Sequence, residues 1–293
     1  MRKIGGLLLV VLIAGCTFGD QEKPNIIVIQ ANKLRCEDVS VYRTDTVNNT
    51  PNIEKLAQEG VCFTNGYAPF SNPMLSEYAL MTGIYPLKEA ATGEEFPVNA
   101  GTIKKEQITL PKVMKTAGYV TAAIGKWHLE DLHGQTVGFD YSCVGEKHLA
   151  DDTDEMKQFI SLNKKKHFFL YWGADEDSTI HVDNSIGELL SCLKAEDLLE
   201  KTLVVFSGNN GIVGVDSVEN DAVRIPLFIY WKGKISPFVS DALVSQIDLM
   251  ASLGKLVDVE LPEGLDSREY LDAFMGKTLK ARAFSHDGKY KVR

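Results

Sequence analysis

The sequence predicts an α/β fold: a mainly parallel, mixed sheet with helices on both faces and a minimal C-terminal β appendage. Three observations predict it. "PNIIVIQ" (24–30) is a continuous apolar, β-branched run, as expected of a strand covered on both faces. Similar runs recur along the chain with amphipathic helical segments between them, the alternation that builds parallel sheets. The 293 residues, 44% hydrophobic and 24% charged, contain no repeat or low-complexity tract, which fits one large domain.

The elements follow in order. After the first strand, "TPNIEKLAQEG" predicts a helix with Thr50 as N-cap, Ile53, Leu56 and Ala57 at helical spacing and Gly60 as the stop. "VCFTNGY" reads as a strand, and "SNPMLSEYALMTGIYP" as a helix start: Asn72 as N-cap, Pro73 at the first helical position, and helix through Met74 and Met81. "TLPKVMKTAG" is helical, and "YVTAAIG" and "HFFLYWG" are strands. "VDNSIGELLSCLKAEDLLEK" (182–201) reads as one long helix, followed by the strands "TLVVFSG" and "IPLFIYW". The closing "RAFSHDGKYKVR" predicts a hairpin turning at Asp287-Gly288.

The N-terminal segment stands apart. "MRK" is a basic region, "IGGLLLVVLIAG" is too short to span a bilayer, and Ile13-Ala14-Gly15-Cys16 resembles the site at which a bacterial lipoprotein signal peptide is cleaved and the new terminal cysteine acylated. The expected organisation is therefore a leader over 1–15, a tether over 16–23, the α/β domain over 24–275 and the hairpin over 276–293. Cys16 would carry the lipid and hold the protein in the bacterial cell envelope, at the outer membrane or its periplasmic face. Loss of Arg2 and Lys3 with the leader would take the formal charge from −9 to −11. Bulk charge of that sign excludes nucleic acid as a partner, so an anionic ligand must be held by a local group of cations. Cys36, Cys62, Cys143 and Cys192 contain no Cys-x-x-Cys pair and point to no zinc site. Up to two disulfides are open to them, although Cys62 in the apolar "GVCFTN" is expected as a buried thiol.

Ligands of such sheets bind beyond the carboxyl ends of the strands. That places Asn32 and Lys33, Lys126 and His128, and Asn209 and Asn210 at the edge where chemistry is expected. Lys126 and His128, two apart in an extended segment, would point the same way and face one anion, with Trp127 packed beneath. The acidic runs Asp175, Glu176, Asp177 and Asp151, Asp152, Asp154, Glu155 are expected as solvated loops rather than metal sites. His148, His167 and His181 lack the spacing of a ligand pair.

Taken together, "KPNIIVIQAN", "TPNIEKLAQEGVCFTNGYAP", "LMTGIYP", "TLPKVMKTAGYVTAAIGKWHL", "GFDY", "LLEKTLVVFSGNNG" and "VRIPLFIYWKGKI", in this order, resemble the sulfatase family of the alkaline-phosphatase superfamily. The resemblance implies sulfuric ester hydrolysis through a formylglycine made in a Cys/Ser-x-Pro-Ser-Arg motif, with a calcium ion held by acidic residues and asparagine. Carried over by position, it puts Pro73 in the nucleophile's place and Glu77 in that of the arginine. The metal positions become Asn32, Lys33, Asn209 and Asn210, with no carboxylate among them. Lys126 and His128 match residues that contact the sulfate. A shifted register recovers Ser71-Asn72-Pro73 but leaves Leu75 for the arginine; Ser76 falls inside the helix. The family's second histidine loop has no counterpart, "GADEDST" standing there instead.

The resulting expectation is an anchored family member that has lost formylglycine and calcium chemistry, needs no cofactor, and binds a sulfated or anionic glycan through Lys126, His128 and Lys33, the last in the cation's place. The alternatives are an active hydrolase using Ser71 with a metal on other carboxylates, and a non-catalytic assembly partner at the membrane.

Overall fold

The computed structural model of the chain describes residues 23–43, 50–86, 102–129, 136–145, 149–175, 179–211, 220–277, 285–286 and 291–292. The leader, Cys16 and most of the tether lie outside them, as do Glu176, Asp177 and His148. Among the described residues no helix is long and apolar enough to cross a membrane.

Eight strands form the sheet: β1 (Asn25–Ala31), β2 (Val61–Tyr67), β3 (Val120–Gly125), β4 (Tyr141–Val144), β5 (Phe168–Ala174), β6 (Thr202–Gly208), β7 (Leu227–Trp231) and β8 (Phe238–Ser245), ordered β4-β3-β5-β1-β6-β7-β2-β8. Only β7 runs antiparallel to its neighbours β6 and β2; the other pairings are parallel. Central β1 is buried at every position, which is why its sequence shows no polar alternation. A small hairpin of β9 (Ser285–His286) and β10 (Lys291–Val292) pairs antiparallel as expected, and its Asp287-Gly288 turn lies outside the described residues.

The helices are α1 (Pro51–Glu59), α2 (Pro73–Thr82), α3 (Leu110–Thr116), α4 (Leu149–Asn163), α5 (Thr179–Ala195), α6 (Asn220–Val223), α7 (Leu249–Leu256) and α8 (Leu271–Phe274). On one face of the sheet, Val28, Phe63, Phe169 and Tyr171 pack with Met81 of α2, Val113 of α3 and Leu253 of α7. On the other, Ile27, Ile29 and Trp172 pack with Leu56 of α1, Ile160 of α4 and Leu189 of α5. Each such buried side chain is worth roughly 1.5–3 kcal/mol, so the two cores hold the layers in register.

Three expectations are corrected. The helix proposed over 182–201 begins earlier, at Thr179, and stops at Ala195; Asp197 takes a left-handed φ of 56° and a separate 3-10 turn covers Leu199–Lys201. The acidic run Asp151, Asp152, Asp154, Glu155 is not a loop. It lies within α4, with Asp152 only 2% exposed, because Met156, Phe159 and Ile160 supply a helical apolar stripe that the acidic residues obscured. Thr50 precedes α1, but its side chain does not cap it. Asp183 of α5 does so from 130 residues away, accepting from the backbone N–H groups of Asn52 (2.9 Å) and Ile53 (2.8 Å); a carboxylate there also complements the helix dipole. The four described cysteines, Cys36, Cys62, Cys143 and Cys192, are free thiols, Cys36 and Cys62 buried.

Candidate functional site

The carboxyl edge is assembled by backbone bonds that prolong the parallel ladder past the strand ends. Asn32 N–H donates to Ala174 O (2.9 Å), Asn209 N–H to Ala31 O (2.7 Å) and Lys126 N–H to Gly173 O (2.7 Å). Residues from four separate strands are thereby set side by side. The closeness depends on glycine: a Cβ on Gly173 would overlap the Lys126 carbonyl oxygen, and Gly125, at φ 89°, would collide with Gly173 O if it carried one. Beyond β1, Lys33 takes a left-handed φ of 58° and is exposed.

At the centre sits Glu77, on the inward face of α2 and wholly buried. Its Oε2 accepts from the backbone N–H of His128 at 2.9 Å and lies 2.9 Å from His128 Nδ1. Its Oε1 is 3.1 Å from the Tyr171 hydroxyl, which is also 2.6 Å from Gln30 Oε1. Burial pushes the Tyr171 hydroxyl well above its ordinary pKa, and the charge of Glu77 adds to the effect. Gln30 Nε2 in turn donates to Asn209 Oδ1 (3.1 Å) and Gln246 Oε1 (3.3 Å), and Gln246 donates to Ser207 Oγ (2.8 Å). The outcome is a connected polar network beneath the sheet edge, joining α2, β1, β5 and the segments after β3, β6 and β8.

Lys126 and His128, expected to face one anion, are divided between two carboxylates. His128 is held by Glu77, and Lys126 Nζ lies 3.3 Å from Asp175 Oδ2. Asp175 also accepts from Asn32 Nδ2 at 3.3 Å. Burial acts to raise its pKa, but the Asn32 hydrogen bond and the charges of Lys126 and Lys33 outweigh it and hold it below the ordinary carboxylate value. Trp127 is 7% exposed and packs edge-on against Phe139 and Tyr171, as expected of a scaffold residue.

The start of α2 is a finished helix cap. Asn72 Oδ1 accepts from the N–H groups of Met74 (3.0 Å) and Leu75 (3.2 Å), with Pro73 at the first position. The amide donors that a free helix start offers an anion are therefore occupied by the protein's own side chain. Ser71 contributes its backbone carbonyl, which accepts from Asn210 Nδ2 (3.1 Å). Its hydroxyl has no base hydrogen-bonded to it among the described residues. Ser76 is buried and bonded to Phe70 O (3.0 Å), a structural role.

The positions expected from the resemblance to lie at a metal, Asn32, Lys33, Asn209 and Asn210, offer amide oxygens and one ammonium. Asn32 Oδ1 and Asn210 Oδ1 are buried without a hydrogen-bond partner, while Asn209 Oδ1 is taken by Gln30. Calcium takes about six to eight oxygens with carboxylates among them. Among the described residues, Glu77 and Asp175 at this edge already serve His128 and Lys126, so the donor set formed by them with Asn32, Asn209 and Asn210 does not fit that ion. Among the described residues no group of three His, Cys, Asp or Glu side chains is arranged to hold a metal.

An eight-stranded, mostly parallel mixed sheet with helices on both faces and a polar site at its carboxyl edge defines an α/β protein of the alkaline-phosphatase type. The family model described as Sulfatase matches residues 24–181 and 174–259, and the chain belongs to the sulfatase family. It is 26% identical to an N-acetylgalactosamine-6-O-sulfatase of Bacteroides thetaiotaomicron, over 94% of this chain and 82% of that protein. Human arylsulfatase A is 25% identical over 87% of this chain and 68% of its own length. Among solved structures, a Bacteroides thetaiotaomicron sulfatase from work on glycosaminoglycan metabolism superposes with a TM-score of 0.79 at 24% identity, covering 90% of this chain and 84% of that one.

Gln30, Tyr171, Asp175 and Gln246 were not singled out from the sequence as members of this site. A signal existed for one of them, Gln30, and for the burial of Glu77. Gln30 is the polar residue inside an otherwise apolar strand run, and Glu77 is the acid inside the apolar "PMLSEYALMT"; a polar group in such a run needs buried partners.

Proposed function

We propose that this sulfatase-family protein does not hydrolyse sulfate esters and instead binds a sulfated sugar at the carboxyl edge without cleaving it. One observation carries the reading: Glu77, in the place of the motif's arginine, is a fully buried carboxylate locked onto His128 and Tyr171. Charge building on a transferring sulfuryl group needs cations around it; here a fixed anion has absorbed the histidine that would supply one. Proline in the nucleophile's position and a donor set without free carboxylates support the same conclusion, with neither formylglycine nor calcium in use.

The ligand class is supported by the family and by relatives named for N-acetylgalactosamine 6-sulfate chemistry. Among the described residues at the rim, Lys33 and Lys126 face one carboxylate, Asp175, which leaves one positive charge in excess there, suited to one sulfate. His128 orients the site through Glu77 rather than meeting the ligand alone. Attachment of the protein to the bacterial envelope through lipid on Cys16 belongs to the same proposal. Hydrolysis from Ser71 has less support, since its hydroxyl has no base hydrogen-bonded to it among the described residues.

Calorimetry and turnover assays with N-acetylgalactosamine 6-sulfate and an aryl sulfate, with and without excess calcium, test the reading. Heat of binding without turnover is expected, abolished by Lys33→Ala or Lys126→Ala. Calcium-dependent turnover lost in Ser71→Ala overturns the non-hydrolytic part, and absence of binding heat overturns the glycan part.

A further inference from the structure

The edge of the sheet opposite the site carries a cleft of about 1100 Å³ whose walls hold nine lysines and His167 against two acids, Asp197 and Glu200. It lies where the parallel strands begin: Asn25 opens β1, His167 precedes β5, Lys201 precedes β6, and Trp231 ends the antiparallel β7. The seven residues of β1 put it roughly 20 Å from the carboxyl-edge site. Its charge runs against that of the chain, which is −9 overall.

Two of the lysines are neutralised within the protein: Lys164 pairs with Glu196 (2.7 Å) and Lys232 with Glu59 (2.8 Å). Lys55, Lys165, Lys166, Lys194, Lys201 and Lys234 are exposed and make no ion pair among the described residues. They come from four parts of the chain, α1, the turn after α4, the end of α5 with the turn after it, and the turn after β7, so the concentration is a product of the fold and not of one basic run. Like charges held together are destabilising unless a counter-charge is supplied, and none of the protein's own carboxylates pairs with these six among the described residues.

We propose that this cleft binds a segment of a linear anionic polysaccharide, sulfated or carboxylated, at a site separate from the carboxyl edge. Its concavity suits a chain laid along it rather than a planar lipid surface. None of its lining residues is an exposed large hydrophobic that would insert into a bilayer. Nucleic acid fits less well. The aromatic residues Tyr230 and Trp231 are buried and offer no face for a base to stack on, and no arginine lines the walls to fork onto phosphate. Ammonium groups on flexible stems instead suit sulfates and carboxylates at variable spacing along a sugar chain.

Titration of the full chain with a chondroitin sulfate octasaccharide, at low and at high salt, tests the proposal. Binding should weaken as salt rises, and the triple charge reversal Lys165→Glu, Lys166→Glu, Lys234→Glu should weaken it by at least about tenfold, each exposed pair contributing modestly. Because these side chains are exposed and unpaired, the variant should melt as the wild type does. Lys126→Ala should leave octasaccharide binding at the cleft intact while removing binding of the monosaccharide N-acetylgalactosamine 6-sulfate, which keeps this result separate from the carboxyl-edge reading. Octasaccharide affinity unchanged by the triple reversal overturns the proposal. So does binding to phosphatidylglycerol vesicles or a single-stranded DNA oligomer in preference to the octasaccharide.

Discussion

Replacing Glu77 with alanine removes the acceptor at the middle of the buried network. Three contacts go at once: those of the backbone N–H and Nδ1 of His128, both at 2.9 Å, and that of the Tyr171 hydroxyl at 3.1 Å, which keeps its shorter contact of 2.6 Å to Gln30 Oε1. Glu77 is fully buried, so water does not take over these contacts without the site opening. Hydrogen bonds to a charged group contribute about 1.5–3 kcal/mol each, and leaving a buried donor unsatisfied costs about 1–3 kcal/mol. The lower sum is the appropriate one, because the three contacts act as a unit. The expected loss is therefore about 3–5 kcal/mol, or roughly 10 °C in melting temperature at this chain length. Glu77→Gln keeps the shape and an acceptor oxygen and should lose about 1–2 kcal/mol. Urea unfolding of Glu77→Ala, His128→Ala and the double variant measures the coupling, expected at 1 kcal/mol or more, as for residues sharing one network. Glu77→Ala within about 0.5 kcal/mol of wild type, or strict additivity of the pair, would refute the picture of Glu77 as the network's anchor.

Other consequences concern the scaffold. Burial, opposed by the charge of Arg224, pushes the Cys36 thiol from its ordinary 9.0 up to about 12. The unfolded chain therefore releases this proton first, so the stabilisation is complete below pH 9 and is lost as pH rises toward 12; a urea midpoint that falls over that range in wild type but less in Cys36→Ala checks it. Asp183→Ala uncaps α1 and should cost about 2–4 kcal/mol by thermal melting, more than a surface cap, because the carboxylate is 1% exposed and holds two backbone donors and the Asn52 side chain. Gly173→Ala should displace the Lys126 carbonyl and part Lys126 from Asp175, seen as weaker binding of N-acetylgalactosamine 6-sulfate together with a lower melting temperature.

Much of the fold was legible because its signals are local. Apolar runs without alternation gave β1, β3, β5, β6 and β7, and the Asn72 cap with Pro73 placed the start of α2 to the residue. Where local signals conflicted, legibility failed. The acids of α4 hid its apolar stripe, and β8, "FVSDALVS", is a half-exposed edge strand whose mixed pattern gives no continuous run. The site was legible in membership but not in pairing. Asn32, Lys126, His128 and Asn209 do converge at one edge, yet which carboxylate Lys126 and His128 each meet depends on contacts across 49 to 51 residues.

The sequence by itself determined the α/β class and the strand and helix alternation, since periodicity and capping are properties of short stretches. Tertiary structure alone decided that Glu77 is buried against His128 and Tyr171, that Asp175 takes Lys126, that Asp183 caps a helix 130 residues away, and that lysines from four segments meet at the opposite edge. Sheet register and the close approach permitted at Gly125 and Gly173 set those partnerships, and neither is encoded within any single stretch of the chain.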